Sequence, residues 1–358
     1  MGIANLTLTR AEPLFGLDLG FSSLKVMQLE TAAEKTPKVV GYGASGYSPT
    51  GAIQNGEIVD FATLSNTLQQ TFDKHLIGAI TTHRVACTLP TAHTFSRPMK
   101  LPKLDDERLT EAVKLEAEQY IPLPADKLYI DYEILWQDEQ SLELLVVAAP
   151  RNIIDSYMKF LEMVKLEPVA LEPTMNATAR LFSMIEPSPI SPALLIDFGS
   201  VSVDIAVFDK TIFVNSTVPG GIDTIINQIA QKLGVSQPDA FVIKNDYGIA
   251  YSDKLRAIGP VVKPMLDRLT HEIQKTIRYY EDRTNHRGKI AQAITFGGGA
   301  TMRGLSDYLA KELQMPVRNL DPWDRMNFGS LKRPSGNDKS MYITVAGVAI
   351  LSRKEIFS

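Results

Sequence analysis

The chain has 358 residues, 44% of them hydrophobic and 22% charged, which is typical of a globular protein with an ample core and excludes a disordered chain. Its formal net charge of −4 provides no general basic field, so nucleic acid is not a favoured partner. The single cysteine excludes a disulfide framework, and the five histidines never fall at metal-ligand spacing.

The first ten residues lack the charged and apolar blocks of a secretory signal. No later segment carries an apolar run long enough to cross a bilayer. We therefore expect a cytoplasmic protein that reaches a membrane only through a partner.

A strand, a tight turn and a second strand are predicted over residues 15–26, because strand-forming residues flank a turn at Gly20. Glycine lets backbone N–H groups approach an anion, and hydroxyl side chains add hydrogen bonds to phosphate oxygens. Asp18 ends the first strand, where it can hold Mg²⁺ through water. The pattern predicts a phosphate-binding hairpin, although a single copy is also compatible with an ordinary turn.

Residues 39–90 predict a strand, a helix at 60–75 and a second strand at 85–89. Residues 91–149 then form an insertion large enough for a small subdomain, with three strands and a helix that Asp105 can cap. The apolar face of this helix fits the subdomain's own core. In the alternative interpretation, a groove for another chain is lined by Leu101, Pro102, Tyr120 and Ile121.

The next segment predicts a helix at 152–166, a short strand ending at Glu172, and a further helix. A proline-rich connector at 186–192 then separates two blocks that each begin with the same hairpin. Aligning Asp197 with Asp18 also aligns Gly199 with Gly20 and Ser202 with Ser23. Two copies in matching context favour phosphate binding over an ordinary turn.

In the second block, Gly220 and Gly221 precede a helix, a polar stretch follows to residue 259, and a long helix is predicted at 261–282. A strand at 293–296 then enters a turn of three glycines, Gly297 to Gly299. Glycines at the end of a strand let the backbone approach a ligand that side chains would exclude. After two phosphate-type hairpins, this turn predicts the third wall of one nucleotide site.

These motifs resemble, in order and spacing, the actin-like ATPase superfamily over nearly the whole chain. Residues 101–122 are similar to the small subdomain of PilM-type type IV pilus assembly proteins, and residues 166–172 are similar to their connecting segment. PilM-type proteins resemble the division protein FtsA, in which the subdomain lies beside the first lobe. The resemblance implies an α/β actin-like ATPase fold, with two duplicated lobes around a nucleotide cleft and an FtsA/PilM-type small subdomain inserted in the first lobe.

The resemblance also implies domain boundaries. The first lobe would span 12–90 and 150–190, the inserted subdomain 91–149, and the second lobe 191–340. A C-terminal helix in 341–358 would return to the first lobe.

A further implication is ATP with Mg²⁺ bound between the lobes. The residues expected to border the nucleotide are Asp18, Gly20, Ser22, Ser23 and Lys25 from the first lobe, and Asp197, Gly199, Ser200, Ser202, Gly220, Gly221, Gly297, Gly298, Gly299, Thr301 and Arg303 from the second. Asp18 and Asp197 would hold the metal, and Glu172 would stand near the hydrolytic water. Many hydrolytic members carry further glycines where this chain has Ser200-Val201, so we expect ATP binding with at most slow hydrolysis.

The implied partner is the cytoplasmic tail of a PilN-like single-span inner-membrane protein, held in a groove between the first lobe and the subdomain. Such a tail would place the protein at the inner membrane, and other pilus components or a second copy are further candidate partners. One alternative is an FtsA- or MreB-like cytoskeletal ATPase, although FtsA carries an amphipathic membrane helix after a linker, which this chain has no room for. The other is a metabolite kinase, for which we find no convincing catalytic base and substrate pocket.

Overall fold

The computed structural model describes residues 13–30, 36–47, 51–186, 191–249, 255–284 and 288–351. Residue 12, most of the predicted connector and the last seven positions of the predicted C-terminal segment lie outside these ranges. The strands are β1 (Phe15–Leu19), β2 (Ser23–Glu30), β3 (Lys38–Gly46), β4 (Ile53–Gln54), β5 (Glu57–Ile58), β6 (Leu76–Gly78), β7 (Arg84–Leu89), β8 (Phe95–Pro102), β9 (Leu128–Gln137), β10 (Ser141–Pro150), β11 (Glu167–Pro173), β12 (Ala193–Phe198), β13 (Ser202–Asp209), β14 (Thr211–Pro219), β15 (Gln292–Phe296) and β16 (Val317–Asn319). The helices are α1 (Phe61–Lys74), α2 (Asp106–Glu118), α3 (Arg151–Met163), α4 (Thr174–Ile185), α5 (Ile222–Leu233), α6 (Gln237–Asp246), α7 (Leu255–Arg283), α8 (Leu305–Leu313) and α9 (Ile343–Ala349).

The first lobe is built on a six-stranded sheet in the order β11-β7-β1-β2-β3-β6. Strand β1 pairs antiparallel with β2 and parallel with β7, and β7 pairs parallel with β11. Because side chains alternate along a strand, Phe15, Leu17 and Leu19 enter the core formed with α1 and α3. Gly16 and Asp18 consequently face the other side of the sheet, where α4 and α9 pack.

Helices α4 and α9 approach each other and the sheet closely through glycine. A Cβ on Gly347 would lie 2.1 Å from the Ala177 carbonyl oxygen, and one on Gly16 would lie 2.7 Å from the Val345 carbonyl oxygen. The surrounding cluster of buried residues contains side chains of both lobes, including the edge-to-face pair Phe182 and Phe208. Helix α9 therefore completes the core of the first lobe, although it comes late in the sequence.

The inserted subdomain is a three-stranded sheet in the order β8-β10-β9, with α2 on one face. The Asp105 side chain accepts a hydrogen bond from the Arg108 N–H at 3.0 Å and caps α2, an interaction usually worth about 1 kcal/mol. Residues 142, 144 and 146 of β10 point into the core under α2. The alternate residues, Leu145 and Val147, face the opposite side, toward the first lobe.

The second lobe repeats the strand arrangement of the first. Its five-stranded sheet has the order β14-β13-β12-β15-β16, in which β12 pairs antiparallel with β13 and parallel with β15. Strands β12, β13 and β15 thus correspond to β1, β2 and β7. Helices α5, α7 and α8 cover this sheet with one buried apolar cluster. Within the described ranges, no helix is both long and apolar enough to span a membrane.

Candidate functional site

The first hairpin carries a buried ion pair at the end of β1. Asp18 and Lys25 face each other in register, and the Lys25 Nζ lies 2.9 Å from Asp18 Oδ2. The second carboxylate oxygen accepts a hydrogen bond from the Thr88 hydroxyl at 2.7 Å, which comes from the neighbouring parallel strand. The turn closes through the Gly20 N–H, which donates to the Ser23 carbonyl at 3.0 Å.

The second hairpin carries two carboxylates at the corresponding level. Asp197 and Asp204 are register partners, and the Thr217 hydroxyl donates to Asp204 Oδ1 at 2.5 Å. Burial raises the pKa of Asp204 to about 6, against the opposing effect of the Thr217 hydrogen bond. Burial also raises the pKa of Asp197 well above its usual range, with further contributions from the charges of Asp204 and then Asp18.

The charge of Asp18 contributes to the raised pKa of Asp197, so the two hairpins lie within electrostatic range of each other. Lys25 opposes the pKa shift of Asp197 and also pairs with Asp18, so an acid from each hairpin lies within electrostatic range of this ammonium group. No cluster of three or more His, Cys, Asp or Glu side chains that could hold a metal alone occurs among the described residues. One aspartate from each hairpin, without a complete cage, fits Mg²⁺, which binds through one or two carboxylates together with phosphates and water.

The turn of the second hairpin rests on the N-terminus of α5. The Ile222 N–H donates to the Gly199 carbonyl at 2.9 Å, and the Asp223 N–H donates to the Ser200 carbonyl at 3.0 Å. This contact requires Gly221, because a Cβ there would lie 2.4 Å from both acceptor oxygens. Gly220 precedes it in the left-handed region at φ +95°. The pair Gly220-Gly221 therefore allows the N-terminus of α5 to contact the turn of the second hairpin.

The glycine turn after β15 packs directly against Asp197. Gly297 has φ +84°, and a Cβ at that position would lie 2.2 Å from Asp197 Oδ1. The Gly299 N–H donates to the Phe198 carbonyl at 3.0 Å, whereas a Cβ on Gly298 would meet open space. The backbone at Gly298 is thus available to an approaching ligand.

Two polar side chains follow this turn. The Thr301 hydroxyl is buried and has no hydrogen-bond partner among the described residues. The exposed Arg303 donates to the Asp246 carbonyl at the end of α6, at 3.4 Å. The serines predicted to reach the phosphates, Ser22, Ser23, Ser200 and Ser202, are partly exposed at the tips of the two hairpins.

A further polar cluster lies between α5 and α6. It includes residues of the stretch before residue 259 for which the sequence predicted only polar character. Lys244 is 1% exposed, and its ammonium lies 4.9 Å from the centroid of the Phe241 ring. Burial lowers the pKa of Lys244 to about 8, partly offset by the charge of Asp223. Oxygens of Asp223, Gln228 and Asn245 are buried without a hydrogen-bond partner in the described part of the chain.

Such unsatisfied polar groups are costly unless something pairs with them. The cluster is therefore a candidate for contacts with the nucleoside. No sequence signal identified it, because Lys244 lies on a helix without a clear apolar face, among polar residues that look exposed.

Glu172 lies on β11 as the register partner of Thr88, two strands from Asp18 on the same sheet. Its two carboxylate oxygens accept hydrogen bonds from the two terminal nitrogens of Arg180, both at 2.7 Å. Arg180 Nη1 also donates to the Gly347 carbonyl of α9 at 3.2 Å. The predicted water-orienting carboxylate is thus engaged by a guanidinium group.

A groove of about 830 Å³ separates the subdomain from the two lobes. Its walls are the two edge strands β9 and β11, the outer face of α4 and the turn between β13 and β14. Apolar side chains, including Leu145, Val147 and Val169, line it together with Glu172 and Arg180. We call this cavity the edge-strand groove.

Two of the four residues predicted to line a groove are instead buried in the subdomain. Leu101 and Ile121 are 7% and 8% exposed and fill the subdomain core, so neither lines a groove. Pro102 is exposed, and the half-exposed Tyr120 ring lies under the Arg97 guanidinium, 3.9 Å from ring centroid to Cζ. Leu101, Tyr120 and Ile121 belong to the α2 side of the subdomain sheet, whereas the edge-strand groove lies on its opposite side.

The fold is that of the actin-like ATPases. It is similar to a PilM-PilN type IV pilus biogenesis complex, with a TM-score of 0.79, 20% identity, and coverage of 94% of this chain and 97% of that chain. EutJ from Carboxydothermus hydrogenoformans gives a TM-score of 0.57, 16% identity and coverage of 94% and 89%. MreB 5 of Spiroplasma citri bound to AMPPNP gives a TM-score of 0.56 at 13% identity, with coverage of 96% of this chain and 97% of that chain.

The family model of the type IV pilus assembly protein PilM matches residues 16–353, and the chain belongs to this family. A local match to the type II secretion system protein L of Xanthomonas campestris pv. campestris is 32% identical over 68 residues. It spans 19% of this chain and 18% of that curated relative. The resemblance to PilM-type proteins and the actin-like fold class are thus confirmed.

Proposed function

We propose that this actin-like protein of type IV pilus assembly binds ATP with Mg²⁺ between its lobes. The observation that carries the proposal is that two matching hairpins each end a strand with an aspartate, and that Asp18 lies within electrostatic range of Asp197. Phosphates and a divalent cation would complete this arrangement. The AMPPNP named with the similar MreB 5 structure supports a nucleotide of this class.

Each wall of the cleft has a proposed part. Lys25 and the turn residues Gly20, Ser22, Ser23, Gly199, Ser200 and Ser202 would meet the phosphates. Asp18 and Asp197 would hold the metal through water. The Gly297 to Gly299 turn, Thr301 and Arg303 would border the nucleoside, and Lys244 would approach it from α6.

Titration with a fluorescent ATP analogue tests this site. We expect saturable, Mg²⁺-dependent binding that weakens at least tenfold in Asp18→Asn and in Asp197→Asn. Asp267→Asn is the matched control, because it removes the same charge from an exposed ion pair on α7. Affinity that is equal in all four proteins would contradict the proposed site.

We further propose that the edge-strand groove holds the cytoplasmic tail of a PilN-like single-span membrane protein, which would tether the chain to the inner membrane. The PilN named with the similar PilM complex supports a partner of this type. The groove offers apolar side chains and two edge strands, which suit an extended peptide with a few aliphatic anchors.

Calorimetry with a synthetic tail peptide tests the location. Val147→Lys puts a charge on the groove wall and is expected to weaken binding at least tenfold. Tyr120→Ala changes the opposite side of the same sheet and is expected to leave the affinity within twofold of wild type. If Tyr120→Ala weakened peptide binding more than Val147→Lys did, the peptide would bind on the α2 side instead.

A further inference from the structure

The Glu172–Arg180 pair lies where the edge-strand groove meets the first sheet. Both side chains line the groove and both are largely shielded, with side-chain exposures of 12% and 21%. The pairing is bidentate, and the same guanidinium also donates to the Gly347 carbonyl of α9. One arginine therefore contacts β11 and α9 from its position on α4.

Glu172 also belongs to a row of polar side chains that crosses the sheet to the phosphate hairpin. Lys25 contacts Asp18, Asp18 accepts from Thr88, and Thr88 is the register partner of Glu172. Neighbouring strands are about 4.8 Å apart, so Glu172 lies roughly 10 Å from Asp18 along this row. A carboxylate at this distance can reach a water beside a phosphate chain whose metal is held at Asp18.

The Arg180 guanidinium occupies both carboxylate oxygens of Glu172 and holds the carboxylate in one orientation. Charge-assisted bidentate pairs are among the strongest hydrogen-bonded contacts in proteins, and they fix the orientation of both planes. A general base must instead be free to accept a proton from the attacking water within about 3 Å. Arg180 thus opposes the role that Glu172 would have in hydrolysis.

We propose that Arg180 is a positioning residue that restrains Glu172, and that a peptide in the edge-strand groove releases it. This inference rests on the proposed ATP and peptide sites. A carbonyl or carboxylate oxygen of the peptide accepts the Arg180 N–H groups in place of Glu172. The freed Glu172 then accepts a proton from water as the water oxygen bonds to the γ-phosphorus of ATP and the bond to the bridging oxygen breaks, leaving its electron pair on ADP.

The test measures steady-state ATP hydrolysis in wild type, Arg180→Met, Glu172→Gln and the double variant. Release of a general base typically changes rates by about 10²–10⁴-fold, so we expect kcat to rise at least tenfold in Arg180→Met while KM changes less than twofold. No rise is expected in the double variant, because Arg180 acts through Glu172. Lys263→Met, which breaks an exposed ion pair, is the charge-matched control and should equal wild type.

A second arm uses the synthetic tail peptide of the PilN-like protein. The peptide should raise kcat of wild type and have no further effect on Arg180→Met. Arg180→Lys retains the charge without the bidentate geometry and should give an intermediate kcat, which keeps the test decisive if the Met variant does not fold. The release is overturned if kcat of wild type is unchanged at saturating peptide.

Binding of the fluorescent ATP analogue is measured in parallel, so that failure of the proposed ATP site can be distinguished from failure of the proposed Arg180 restraint. Intact ATP binding with equal kcat in wild type, Arg180→Met and Arg180→Lys overturns the restraint alone. Absence of ATP binding by wild type overturns the nucleotide site itself, and this inference with it. A kcat that rises equally in the presence and absence of Glu172 shows that Arg180 acts by another route, which also overturns the restraint.

Discussion

Asp204 makes the stability of the second lobe depend on pH. Its pKa is about 6 in the folded protein, above the ordinary value of 3.8, because burial disfavours the charged form. Between these two values the folded state binds more protons than the unfolded state, so stability falls as pH rises through this range. Above about pH 6 the destabilisation by the Asp204 charge is complete.

Asp204→Asn should therefore increase the free energy of unfolding at pH 8 by about 2–3 kcal/mol, which corresponds to the two-unit shift. The amide oxygen can still accept the Thr217 hydroxyl hydrogen bond. At pH 3, which lies below both pKa values, the two proteins should be equally stable, since the aspartic acid is then largely neutral in both states. Urea denaturation at both pH values measures the difference, and a gain of the same size at both would contradict the burial argument.

Gly297 is the position where backbone conformation and site geometry coincide. Its positive φ and the 2.2 Å approach of a Cβ to Asp197 Oδ1 both exclude a side chain. Gly297→Ala should lower the free energy of unfolding by at least about 1 kcal/mol. Gly298→Ala is the matched control, because a Cβ there meets open space at an ordinary φ and should change stability by less than about 0.5 kcal/mol. Equal melting temperatures of the two variants would argue against this account.

The residues of the paired hairpins could be predicted because Asp18 and Asp197 each belong to a short, local pattern of strand, glycine turn and strand. The contacts of Thr88, Lys244 and Arg180 could not be predicted, because each forms only when separate elements come together. Thr88 lies 70 residues from the carboxylate that it contacts. Leu101 and Ile121 were predicted to line a groove but lie in the subdomain core. The sequence could not distinguish these positions, because apolar residues near a helix end fit a core and a groove equally well.

At the scale of elements, the contact of α4 with α9 depends on one glycine. A Cβ on Gly347 would lie 2.1 Å from a backbone oxygen of α4, which cannot move aside like a side chain. Gly347→Ala should therefore separate the two helices and destabilise the protein by about 1–3 kcal/mol. Thermal unfolding of this variant beside Gly46→Ala, whose Cβ would meet its nearest neighbour at an ordinary 3.7 Å, measures the effect.

The sequence predicted most elements near their observed places, since hydrophobic periodicity is a local property. The subdomain helix is predicted with Asp105 as its cap, and it is observed as Asp106–Glu118 with that cap. Which strands lie at the edges of the sheets could not be predicted from periodicity, because strand order depends on pairing between distant segments. The edge-strand groove exists only because β9 and β11 are both last in their sheets.

At the scale of the whole molecule, a ligand that contacts both hairpins links the stability of the two lobes. ATP with Mg²⁺ at 100 times its dissociation constant should stabilise the protein by about 2.7 kcal/mol. The melting temperature should rise on adding both and fall when EDTA removes the metal. Asp197→Asn should abolish most of this shift. A shift that survives EDTA would show that the nucleotide binds without the proposed metal.

The late position of helix α9 in the sequence also affects the order in which the two lobes fold during translation. The first lobe begins at β1, but its core lacks the side chains of α9 until the ribosome has added residues 343–349. The cluster between the second sheet and helices α5, α7 and α8 draws on residues 194–309, a continuous stretch that emerges earlier. A nascent chain stalled before α9 leaves the tunnel should therefore hold a folded second lobe beside an incomplete first lobe, so that the part translated first is the last to mature.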